Sequence, residues 1–157
     1  MDSWHEKNLQ LEQLMPLIEA QLSKGKSVRY APRGISMLPM IRQGIDSVVL
    51  SPAPDRLKKY DIPLYRRKSG SYVLHRVISV GEYYTCIGDH QYVYETGVSH
   101  EQIIAVVTAF YRGDKRYHVS DFGYRLYCGL WHGTRGLRRF LLRGLRWIKR
   151  HVSRRSE

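Results

Sequence analysis

The stretch Tyr72-Val-Leu-His-Arg-Val-Ile-Ser-Val80 is followed by Gly81-Glu82, then Tyr83-Tyr-Thr-Cys-Ile87, then Gly88-Asp89-His90. Apolar and β-branched residues come here in short runs separated by turn residues. That is the spacing of strands, because a helix of the same length would repeat its apolar positions every three or four residues. Further strands are expected over Ser27–Ala31, Asp46–Ser51, Asp61–Arg66, Gln91–Glu95, Gln102–Tyr111 and Arg116–Ser120, alongside Tyr72–Val80 and Tyr83–Ile87. Lys68-Ser-Gly-Ser71 and Gly113-Asp-Lys115 have the composition of hairpin tips. So many strands with no helix between them imply a mainly β domain with antiparallel pairing.

Two helical segments flank it. Leu11, Leu14, Met15, Ile18 and Leu22 share a helical face, with Pro16 expected to kink the run or mark a start near Met15 and Gly25 to stop it. Near the other end, Leu137, Leu141, Leu145, Ile148 and Val152 keep helical period, and Arg139, Arg143, Arg146, Arg150 and Arg154 keep it on another face. That is a basic amphipathic helix, with Trp131 and Trp147 as interfacial aromatics. Gly133, Gly136 and Gly144 weaken it by about 1 kcal/mol each at interior positions. The expected division is an N-terminal helical segment over 1–26, a β domain over 27–119 and a basic helical tail over 120–157.

The chain has 157 residues, 43% of them hydrophobic, which excludes a wholly disordered or low-complexity protein. Its formal net charge is +12, and the excess is concentrated. From Ser120 onward ten basic residues face only Asp121 and Glu157, a net +8, whereas the first 119 residues carry +4. Such a tail seeks an anionic partner. A peripheral contact of residues 130–155 with an anionic membrane fits the amphipathic pattern. Nucleic acid is not expected, since no recognised nucleic-acid motif accompanies the arginines. Cys86 and Cys128 match no metal spacing and suit a reducing compartment. The longest apolar run, Ile103–Tyr111, is far shorter than a membrane span, and MDSWHEKNLQLEQL has no apolar core of a secretory signal. The expected location is therefore cytoplasmic, with the membrane's inner face as the variant; no cofactor or metal is expected.

Three segments carry chemistry: Gly34-Ile-Ser36-Met-Leu-Pro39, the Tyr72–Ile78 run with its His75-Arg76 pair, and Gly88-Asp89-His90. A serine is a weak nucleophile without a base in hydrogen-bond reach. A histidine can take that proton and return it to a leaving amine, and a carboxylate can hold the imidazole in the required tautomer. A glycine-flanked serine leaves room for a carbonyl beside its own backbone N–H.

In order and spacing, Gly34-x-Ser36-Met37-x-Pro39, Leu74-His75-Arg76-Val77 and Gly88-Asp89 resemble the type I signal peptidase family, and more broadly the signal peptidase/LexA-like serine peptidase clan. Gln43–Val49, Tyr60–Tyr65 and Ile103–Val107 resemble segments lying between and after those motifs, with Tyr60 where the family has glycine. Most bacterial members have a lysine base, and the branch with histidine in its place is the one this chain resembles. The resemblance implies Ser36 as nucleophile and His75 as general base. Asp89 would orient the base or support the site, with Asp61 as a weaker acidic candidate. It also implies substrate contacts at Gly34, Met37 and Pro39 and an oxyanion donor in the Ser36 N–H, and places Arg76 in a scaffold ion pair. The implied activity is a serine endopeptidase acting on a precursor or leader peptide. The alternative is a degenerate relative that binds a peptide, membrane surface or nucleic acid without cutting.

Overall fold

The strand richest in β-branched and aromatic residues, IIAVVTAFYR, organises the fold as β8 (Ile103–Arg112). A computed structural model, describing residues 3–138 and residue 140, places β8 inside a six-stranded antiparallel sheet. One side of β8 pairs with β2 (Asp46–Pro52), across a bulge at Val49/Leu50. Its other side pairs first with β3 (Pro63–Arg66) and then with β9 (Lys115–His118). Outside these lie β1 (Val28–Tyr30) on β2 and β4 (Tyr72–Leu74) on β3. A second antiparallel sheet has the order β5 (Arg76–Val80), β6 (Tyr84–Ile87), β7 (Glu95–Val98). The protein is thus mainly β and antiparallel.

The chain changes sheets at His75. The run Tyr72–Val80, expected as one strand, is two: β4 pairs with β3 in the larger sheet, β5 pairs with β6 in the smaller, and His75 belongs to neither. Continuous apolar character reports burial but says nothing of the partner, so the crossover leaves no mark in the periodicity. The strand expected at Gln91–Glu95 also lies further on. Tyr92, Val93 and Tyr94 are exposed, whereas Val98 is buried and pairs with Tyr84.

The core lies between the sheets. Tyr65 and Val106 from the larger one pack with Val77, Tyr84, Cys86 and Val98 from the smaller, joined by Leu57. Each such side chain is worth about 1.5–3 kcal/mol when fully buried. The N-terminal helix α1 (Ser3–Leu22) runs through Pro16 and does not start near it. Over residues 11–22 of it, Met15, Ile18 and Leu22 are buried, while Leu14 is exposed. Gly25, with φ of +71°, takes the left-handed conformation that ends the helix, and its N–H donates to the Leu22 carbonyl.

The chain divides into two units, residues 1–121 and residues 122–157, so α1 falls in the same unit as the strands. The second unit begins with α2 (Phe122–Gly133), and helical bonds continue from Thr134 N–H to the Leu130 carbonyl and from Arg138 N–H to the Thr134 carbonyl. Tyr127 stacks on Trp131, and the Arg138 guanidinium lies 3.4 Å from the Trp131 ring centre. Most of the basic amphipathic helix expected from Leu137 to Val152 lies outside the described residues. Among the described residues no helix is long and apolar enough to cross a membrane.

Candidate active site

Ser36 sits, half-buried, in an irregular loop between β1 and β2. Gly34 opens the loop with φ of +96°, a conformation glycine adopts without steric cost, and its N–H donates to Gln43 Oε1 at 2.7 Å. Met37, Met40 and Ile41 are buried and anchor the loop from beneath. Ile35 and Pro39 are exposed, so of the expected substrate contacts Met37 packs into the protein while Pro39 remains accessible. The loop returns to β2 at the buried Asp46, which accepts two hydrogen bonds from the Arg42 side chain and one from the Arg42 N–H. Arg112, from β8, donates to the Met40 carbonyl at 3.0 Å. No intramolecular acceptor takes the Ser36 N–H among the described residues.

The Gly88-Asp89-His90 turn holds this loop in place. The His90 N–H donates to the Ser36 carbonyl at 2.9 Å. A Cβ on Gly88 would come 2.6 Å from that same carbonyl oxygen, so only glycine permits the approach. Asp89 is taken by Arg76 in a two-point ion pair with both side chains fully buried. Arg76 also donates to the Tyr60 carbonyl at 3.1 Å. Asp89 thus ties the turn to Arg76 at the start of β5.

The carboxylate beside His75 is Glu95, which the sequence did not single out. His75 is only 2% exposed, and its Nδ1 lies 3.0 Å from Glu95 Oε1, in ion-pair range without hydrogen-bond alignment. Glu95 is fixed from two further directions. The Tyr65 hydroxyl donates to its Oε2 at 2.7 Å, and Arg67 donates from Nε at 2.9 Å and from Nη2. Burial pushes the Glu95 carboxyl up, but His75, Arg67 and Tyr65 outweigh it and hold the group well below the usual carboxylate range. Burial, with the Glu95 contact, pushes the Tyr65 hydroxyl well above its ordinary value, so it stays a donor. An ionised carboxylate only accepts, so it favours a proton on Nδ1 and leaves the Nε2 lone pair free to take another.

Ser36 and His75 are therefore connected through the scaffold: Ser36 to the 88–90 turn, Asp89 to Arg76, Arg76 to its neighbour His75. Among the described residues no hydrogen bond joins Ser36 Oγ to the His75 ring. Hydrogen bonds of this kind are often long in substrate-free sites and tighten on binding. Asp61 accepts from the Lys58 N–H at 2.7 Å and is raised above its ordinary value, chiefly by burial, as a turn-closing residue would be. The Cys86 thiol, fully buried, is pushed up to about 12 by burial and the Glu95 charge, which removes it as a nucleophile. No group of three or more His, Cys, Asp or Glu side chains is placed to hold a metal among the described residues. Comparison with protein-family models, with curated proteins and with solved structures finds no match to this chain.

Proposed function

We propose that the protein is a serine endopeptidase of the signal peptidase-like kind, acting on a precursor or leader peptide, with Ser36 as nucleophile and His75 as general base. Glu95 is the positioning residue for the base, and the Gly88–His90 turn fixes the Ser36 backbone. In the reaction His75 Nε2 takes the Ser36 Oγ proton as Oγ bonds to the scissile carbonyl carbon. The Ser36 N–H stabilises the oxyanion. The C–N bond then breaks, the proton passes to the leaving nitrogen, and water hydrolyses the resulting ester with His75 again as base.

The observation that carries this reading is the His75–Glu95 contact, a buried imidazole with Nδ1 3.0 Å from a carboxylate that Arg67 and Tyr65 also help keep ionised. The test is digestion of a peptide library followed by mass spectrometry. Products are expected from the wild type and from neither Ser36→Ala nor His75→Ala; the same products from Ser36→Ala would contradict the assignment. The second reading, a relative that binds peptides without turnover, is favoured by the missing Ser36–His75 hydrogen bond. It predicts peptide retention by all three proteins and cleavage by none.

A further inference from the structure

Phe122, Leu126, Leu130, Leu137 and Phe140 are 51–81% exposed, an unusual concentration of large apolar side chains in water. Their spacing is four, four, seven and three residues. At about 100° per residue, α2 and the helical turns that follow it put them within an arc of roughly 80° on one side. The buried residues of the same segment, Tyr124, Cys128 and Arg135, fall on the opposite side. The exposed stripe is thus distinct from the buried side of the same segment. Scattered single apolar residues on a surface need no explanation, whereas an aligned set signals an interaction surface.

Charge identifies the occupant. Between Asp121 and Glu157 the sequence has ten arginines and lysines and no acidic residue. Arg125 and Arg138 flank the stripe, and Arg138 is held over the Trp131 ring and bonded to the Trp131 carbonyl. A second copy of the chain would bring equal positive charge against this face. Nucleic acid would satisfy the arginines but leave Phe122, Leu126 and Leu130 in water. A surface of anionic lipid satisfies both, since acyl chains take the apolar side chains and headgroups the cations.

We propose that α2 and the segment following it dock lengthwise on an anionic lipid surface through Phe122, Leu126, Leu130, Leu137 and Phe140. The proposal is independent of any peptidase activity. The test is co-sedimentation of the full chain with vesicles of phosphatidylglycerol and phosphatidylcholine, against vesicles of phosphatidylcholine alone. Binding is expected to the anionic vesicles and to be at least about tenfold weaker to the neutral ones. Leu126→Gln/Leu130→Gln replaces exposed residues and leaves the core untouched; it is expected to weaken partitioning about tenfold or more. Equal binding by this variant and the wild type would overturn the proposal, because attachment would then be purely electrostatic. So would failure of the wild type to bind anionic vesicles, or a wild-type dimer that the variant converts to monomer.

Discussion

Arg76 and Asp89 form a two-point ion pair, Nε to Oδ1 at 2.8 Å and Nη2 to Oδ2 at 2.7 Å, with neither side chain reaching solvent. A single substitution leaves a buried charge without its partner, at a cost of about 3–5 kcal/mol. Asp89→Asn and Arg76→Met are each expected to lower unfolding stability by that order in denaturant titration. Arg76→Met/Asp89→Leu is expected to recover much of it. If Asp89→Asn leaves stability unchanged but abolishes Ser36 reactivity, Asp89 serves the chemistry directly and its scaffold role is wrong.

Glu95→Gln tests the positioning of the base. The amide keeps the shape but can present N–H groups toward His75, which upsets the tautomer. The rate of Ser36 acylation is expected to fall about a hundredfold or more, by analogy with the general effect of neutralising a triad carboxylate. Glu95→Asp is expected to restore part of the rate. A structural role alone would lower stability without this pattern of partial rescue.

The same carboxylate makes stability depend on pH in a defined direction. Burial pushes the Glu95 carboxyl up, but its cationic and hydroxyl partners hold the folded value below the unfolded one, near 4.5. The unfolded chain therefore binds the proton first, and stability falls as pH drops below about 4.5 and through the folded value. Thermal melts should show the wild type and Glu95→Gln furthest apart at neutral pH and converging in acid. A gap that widens in acid would contradict the arrangement.

Gly88→Ala would place a Cβ 2.6 Å from the Ser36 carbonyl oxygen, against backbone that cannot swing aside as a side chain would. The expected loss is about 1–3 kcal/mol of stability, with displacement of the Ser36 loop and loss of the His90 N–H bond to Ser36 O. A folded Gly88→Ala protein with unchanged Ser36 reactivity would show that the turn does not position the nucleophile.

Much of this was legible in residue order, for particular reasons. β2, β6 and β8 stand out because turn residues bound them and their apolar content matches burial in a sheet. Ser36, His75 and the Gly88-Asp89 turn stand out as motifs. Glu95 does not, because a glutamate before Thr96-Gly97 looks like any surface charge; its partners Tyr65, Arg67 and His75 are 20 to 30 residues away in sequence. The sheet change at His75 was hidden for a related cause, since pairing partners are non-local. Tyr60 is the converse case. It stands where the resembled family has glycine, and it is the one non-glycine residue with positive φ, +77°, among the described residues. The backbone conformation there is the one a glycine would favour, which sequence comparison alone could not disclose.

The most direct measurement is covalent labelling with a fluorophosphonate, read by intact mass and peptide mapping at about pH 5 and about pH 8. One adduct on Ser36 is expected, faster at the higher pH because only the neutral imidazole accepts the proton. It is expected to be absent from Ser36→Ala and at least about a hundredfold slower in His75→Ala. An adduct that forms at the same rate in the folded His75→Ala protein, or on a residue other than Ser36, would contradict the assignment of nucleophile and base.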